Sequence, residues 1–333
     1  MKYFRVSWLA LVLGLLASPA FAAPLYRLAA VIPLGGGVKW DYLRIDGQQV
    51  YVSHGTEVTV VDLRRAKIIG RLAGLPGSHG MAIDPVTGDI WADSAGRSQA
   101  IAFSPGFIPL AAVPVVRDAD GMAYDSASKT IFVSGGDGHA LTPINPATRT
   151  AYADIPLGGA PEAFVADGKG ALYVDIVDKN ELVRIDTRQR KVTARWPTPG
   201  CSEPTGLALD GAKQLLFISC RGGAMDVMNG GSGALLAVIP IGKGTDGAGY
   251  DAVRHRAFSS NGDGTLSVIG DNAAPILLGT VRTALGARTM ALEPDNGDVL
   301  TVTGTVTGTV PGGRPRYSFA PGSLKLLIYA PVP

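Results

Sequence analysis

The chain has 333 residues, 46% hydrophobic and 17% charged, with 44 glycines and 23 prolines. Such a length and apolar content can bury a large core. Its 30 basic and 28 acidic side chains give a formal charge of +2, which lacks the basic footprint that bulk nucleic-acid binding requires.

The N-terminus reads as a secretory signal over residues 1–22. Lys2 and Arg5 precede the apolar run "WLALVLGLLA", and "SPAFA" ends with small residues at Ala20 and Ala22. The run is shorter than the ~20 residues that span a bilayer, so a mature chain beginning at Ala23 has no transmembrane segment. With no cysteine near the cut, a lipid anchor is not indicated. Loss of Lys2 and Arg5 leaves 28 basic against 28 acidic side chains and a formal charge of zero. We expect an exported protein of a periplasm-like compartment.

Length alone suggests about two domains, but an internal repeat argues for a single one over residues 23–333. Seven stretches share an apolar residue, an acid, a turn and then a strand. Examples are "LRIDGQQVYVS" from Leu43, "MAIDPVTGDIWAD" from Met81 and "MALEPDNGDVLTV" from Met290. Their acids are Asp46, Asp84, Asp125, Asp167, Asp210, Asp251 and Glu293, spaced 38 to 43 residues apart. A period near 41 with several short strands per unit is the mark of a β-propeller. The expected fold is therefore all-β: seven blades of four antiparallel strands.

In the second unit Met81–Ile83 forms the inner strand and "DPVTGD" the turn, followed by "IWAD", "QAIAF" and the outer strand "FIPLAAVPV". The segment "RLAAVIPLG" (27–35) resembles the outer strands "AYADIPLGG" and "LLAVIPIGK" but precedes the first inner strand. The seventh unit ends at "LKLLIYA" with no outer strand after it. The N-terminal strand should thus complete blade seven, because an open ring would leave long strand edges exposed.

The stretches "VYVSHGTEVTVVD" (50–62) and "LYVDIVDKNELVRID" (172–186) resemble the YVTN-type repeat of the YncE-like seven-bladed β-propellers. The resemblance covers nearly all of the mature chain. It departs at Ala92, where a β-branched residue is usual, and at an insertion in the seventh unit. It implies an exported binding or scaffold protein and carries no catalytic motif.

Five residues before each acid the units carry Asp41, His79, Asp120, Glu162, Thr205, Asp246 and Arg288, mostly followed by a glycine or another small residue. These positions start the inner strands, so four carboxylates and a histidine should share the channel mouth. Crowded carboxylates repel unless a cation relieves them. Asp41, His79, Asp120, Glu162 and Asp246 are accordingly candidate ligands of a divalent cation: Ca²⁺ for an oxygen set, a transition metal if His79 takes part. Against this, Arg288 stands between Asp246 and Asp41 and could pair with either. The side chains also share the parity of the apolar residues nearby, which would wedge them between blades.

His54 and His139 are expected on exposed loops of the same face, and His255 on a turn of the opposite one. The well-specified hydrolase, phosphate-loop and dinucleotide motifs are absent. "GGDGH" and "NGDG" have the composition of calcium loops but also of simple turns. Cys201 and Cys220 should reach one face and form a disulfide, as exported chains favour. The opposite-face turns "DLRRAKI", "DTRQRKV" and "AVRHRAF" are basic and could meet an acidic partner or simply be solvated.

The insertion "GTVTGTVPGGRPRYSFAPGS" (304–323) resists helix formation. It could form a hairpin that brings Arg314, Arg316, Tyr317 and Phe319 over the channel mouth, or a plain surface loop. A monomer that binds a protein or small molecule through Asp41, His79, Asp120, Glu162, Asp246, Arg288, Arg316 and Tyr317 is the leading expectation. The alternative is a metal-dependent hydrolase, lactonase or lyase using the rim carboxylates and His79. Convergence of those carboxylates on one point would favour catalysis, and dispersal would favour binding.

Overall fold

A computed structural model of the chain describes residues 25–271, 274–313 and 315–332. The expected signal at 1–22, the start of the mature chain and Arg314 lie outside the described residues. No helix among the described residues is long and apolar enough to cross a membrane.

The repeat folds into seven antiparallel blades arranged as a propeller. Blade one runs Trp40–Asp46, Gln49–His54, Glu57–Asp62 and Lys67–Ala73 from the axis outward. Blades two and four to six repeat this order. Blade seven contains Met290–Leu292, Val299–Thr303 and Lys325–Pro331, and its outermost strand is Tyr26–Pro33 from the other end of the chain. The closing pair is antiparallel from Tyr26 opposite Pro331 to Pro33 opposite Lys325. The ring therefore has no free end.

Blade three departs from the expected pattern. Its outer strand splits into Thr150–Ala151 and Ile155–Pro156. The gap lies opposite Thr142 and Pro143 of the third strand. Proline has no N–H for the ladder, and Asp154 instead accepts the Thr142 hydroxyl at 2.6 Å.

The core lies between blades rather than on one sheet face. Seven apolar clusters fill the seven blade interfaces; the one between blades seven and one includes Ile32, Val50, Val52, Leu300 and Leu326. Near the axis the inner strands approach so closely that a Cβ at Gly80 would lie 2.4 Å from the Asp120 carbonyl. The small residue that follows the rim position in most blades is thus what lets the ring tighten.

The repeated acids close the turns between inner and second strands. Asp84, Asp125, Asp167, Asp210, Asp251 and Glu293 each accept a backbone N–H two or three residues on. Cys201 and Cys220 form a disulfide between the loop entering blade five and the end of its second strand, with Cα atoms 5.4 Å apart. Such a bond suits an oxidising compartment.

Candidate functional site

The rim acids sit where each inner strand begins, and a register shift marks the spot. The pairing slips between Trp40 and Leu43, between Ala119 and Met122, between Pro161 and Phe164, and between Thr245 and Gly247. Asp41, Asp120, Glu162 and Asp246 lie within these bulges. A bulge inserts a residue and re-aims its side chain, which frees the acids from the blade-packing parity that would have wedged them between sheets. All four are half-buried.

The rim then divides in two. On the side of blades one to three, the His79 Nδ1 lies 2.8 Å from Asp41 Oδ2 and 3.5 Å from Asp120 Oδ1. Behind it, buried Asp93 accepts the His79 and Gly80 backbone N–H groups at 2.7 and 3.0 Å, fixing where the strand starts. Burial opposes a charge on His79. The hydrogen bond and charge of Asp41, with Asp120 and Asp93, outweigh it and push the imidazole pKa up to about 10. Asp120 is held well above the usual carboxylate range, first by burial and then by repulsion from Glu162 and Asp41. One ligand atom from each of Asp41, His79 and Asp120 falls within 4.8 Å of the others.

On the side of blades four to seven, arginines take the acids. Arg221 Nη2 lies 2.8 Å from Glu162 Oε1 and 2.9 Å from Asp246 Oδ1. Arg288 Nε donates to Asp246 Oδ2 at 2.5 Å, and its guanidinium lies over the Trp40 ring at 5.8 Å. Burial and the nearby Asp246 charge raise the Glu162 pKa to about 7 despite Arg221. Of the five candidate cation ligands, the structure brings Asp41, His79 and Asp120 together, while Glu162 and Asp246 face arginines.

Blade five adds no charge at the repeated position; Thr205 is buried and donates to the Thr245 carbonyl at 2.8 Å. Arg221 bridges that gap from the next loop. Sequence reasoning passed over it, although a signal exists. The residue after each second strand is Gly55, Ala95, Gly136, Val177, Arg221, Gly262 or Gly304, a column with one cation in it. Tyr42 was missed in the same way. It fills the position that is Gly80, Gly121, Ala163, Gly206, Gly247 or Thr289 elsewhere, and it lines the central channel. Burial, then the charges of Asp120, Glu162, Asp41 and Asp246, keep its phenol un-ionised.

The insertion forms a hairpin, Val306–Thr309 against Tyr317–Phe319, seated on this rim. Phe319 meets Trp40 edge-on, ring centroids 4.8 Å apart. Beneath it runs a floor of glycine peptides from blades five to seven. Gly244 N–H donates to the Arg221 carbonyl, Gly262 N–H to that of Gly244, and Gly286 N–H to that of Gly262. A Cβ on Gly286 would lie 2.5 Å from Phe319, and one on Gly262 2.9 Å from the Gly244 carbonyl. Hairpin and floor enclose a cavity of about 340 Å³ whose wall includes Arg221, Asp246, Arg288, Arg316, Tyr317 and Phe319.

Two histidines are placed differently from each other. His54, expected on an exposed loop, is 2% exposed because it ends a strand and bonds the Thr59 hydroxyl through Nε2 at 2.5 Å. His139 is exposed as expected.

No family model matches the chain, and no curated protein does. Among solved structures it is similar to Kuenenia stuttgartiensis hydrazine synthase, with a TM-score of 0.69 at 14% identity over 87% of this chain and 96% of that one. At that identity the likeness speaks for the propeller fold alone.

Proposed function

We propose that this protein is an exported, non-enzymatic binding propeller of the YncE-like kind that holds a small-molecule ligand at the channel mouth. The observation that carries this is the cavity of about 340 Å³ between the blade-seven hairpin and the glycine floor. It is concave, partly aromatic and supplied with a few convergent charged groups, as ligand sites are. The disulfide and the signal-like N-terminus support export. The protein purified from its own exported fraction should carry a small molecule detectable by native mass spectrometry, and adding that molecule should raise the melting temperature. A protein that returns empty and is stabilised by no compound in a broad metabolite screen would overturn this reading.

A second reading, a metal-dependent hydrolase, lactonase or lyase, is favoured by the convergence of Asp41, His79 and Asp120 within 4.8 Å. Two carboxylates and an imidazole suit a divalent transition metal, or Ca²⁺ with water in place of the imidazole. A bound ion would act as a Lewis acid or activate water there. Against it, His79 is already ion-paired with both acids, and a ligand imidazole must first lose its proton. A chelator that leaves melting unchanged, with no metal in the native mass spectrum, removes this alternative.

A further inference from the structure

We infer that the pocket beneath the hairpin takes a small organic carboxylate with a planar apolar body. The inference rests on the pocket being the ligand site, and it adds the chemical class of the ligand.

Asp246 is the lining carboxylate among the described residues, and both its oxygens are taken, Oδ1 by Arg221 and Oδ2 by Arg288. Arg221 is further held by Glu162 and is 17% exposed. Arg288 differs. Its Nε is engaged by Asp246, but its two Nη groups have no hydrogen-bond partner among the described residues, and its side chain is 38% exposed. Arg316 is exposed and likewise has no side-chain partner among the described residues. The cavity thus presents open cationic donors and no open carboxylate. A cationic ligand would meet three arginines and one carboxylate already paired with two of them. A neutral one could meet the Arg288 Nη groups only with an uncharged acceptor, a weaker bond than a charged one makes.

An anion answers both problems, and the geometry favours a carboxylate. A guanidinium whose Nε edge is occupied still offers its Nη pair as a fork, whose spacing matches two carboxylate oxygens. The Arg288 guanidinium lies 5.8 Å from the Trp40 ring centroid, a cation–π contact that helps keep the group at the cavity. The rest of the ligand faces Tyr317, Phe319, Val310 and Pro315, an apolar wall suited to a flat hydrocarbon or aromatic body. The volume, about 340 Å³, is at the low end of the ~300–1,000 Å³ found for small-molecule sites, which fits a metabolite rather than a peptide. Because Pro315 and Phe319 pack directly on Gly244 and Gly286, the cavity is formed before any ligand arrives.

The test is saturation-transfer NMR and calorimetry on the intact protein with three matched sets: benzoate, phenylacetate and salicylate; their amides; and the corresponding benzylic amines. We expect the carboxylates to bind at least about tenfold more tightly than the amides, and the amines not at all. Arg288→Gln should remove that preference. Arg316→Gln, at an exposed position that leaves folding intact, should weaken carboxylates about two- to fivefold and make binding less sensitive to salt. If amides or amines bind as well as carboxylates, the anion assignment falls while the pocket stands as a ligand site. If no member of any set binds, the carboxylate assignment falls, while the proposed function stands or falls by the metabolite screen. Carboxylate binding that survives Arg288→Gln and Arg316→Gln unchanged places the ligand elsewhere and also overturns the inference.

Discussion

The two faces of the disc both carry acids at the period of the repeat, yet those acids meet different partners. On the turn face, six of the seven are satisfied by their own turn, each accepting an N–H two or three residues away. On the channel-mouth face the acids meet side chains from other blades: Asp41 and Asp120 meet His79, while Glu162 and Asp246 meet Arg221. The turn-face acid is local, so every blade can repeat it. The rim acid is answered across the ring, so it varies from blade to blade, and its variations shape the candidate site.

Breaking the ring should remove the distinction altogether. Deleting residues up to 36 removes the outer strand of blade seven and exposes the edge of Lys325–Pro331, and cooperative melting should be lost. A truncated protein that melts like the intact one would refute strand exchange as the closure. Next in size is the disulfide. With Cys201 and Cys220 separated by 19 residues, its loss by Cys201→Ala with Cys220→Ala should cost about 3 kcal/mol in denaturant titration.

The two kinds of acid can then be compared directly. Asp84→Ala removes a buried carboxylate that accepts the Val86 N–H and the Thr87 hydroxyl, and should cost about 1–3 kcal/mol while leaving the rim unchanged. Asp41→Asn acts on a partly exposed pair and should cost less than about 1 kcal/mol. Its effect should appear in the titration of His79, whose raised pKa should fall by NMR because Asp41 supplies both a hydrogen bond and a charge. Equal costs for the two substitutions would collapse the comparison.

The two shifted histidines contribute to the pH dependence of stability in opposite directions. His79 has a raised folded pKa, so its contribution is complete below about 6.5 and disappears as pH rises through about 10. His54 has a lowered one, set by burial, so its contribution holds above about 6.5 and is lost as pH falls below that value. His54→Gln should flatten the acid limb of the stability profile and leave the alkaline limb unchanged. The smallest expected effect is that of Arg316→Gln on melting, within about 0.5 kcal/mol.

Much of the ring was legible in the sequence because each blade repeats one pattern. Acid, turn and apolar strand recur often enough to set the blade count, and the spare strand at 27–35 with the missing strand after 330 fixed the closure. The site was less legible, for three physical reasons. The bulges that aim Asp41, Asp120, Glu162 and Asp246 at the rim depend on strand register, which no single residue encodes. Arg221 and Tyr42 act by departing from a column of small residues, so motif reading passed over them. The seat of the hairpin is glycine at 244, 262 and 286, and from sequence alone those glycines read as loop punctuation. In blade three the chain carries Pro143 in the third strand, but strand pairing had to be known before its missing donor had a consequence.

The most direct measurement replaces residues 305–321 with a short Gly-Ser turn and compares melting and ligand binding with the intact protein. The ring should melt within a few degrees of the parent, since the hairpin lies outside the blade ladders, while calorimetric binding at the rim disappears. Full binding by the shortened protein would contradict the account, because the pocket would then owe nothing to the insertion that roofs it.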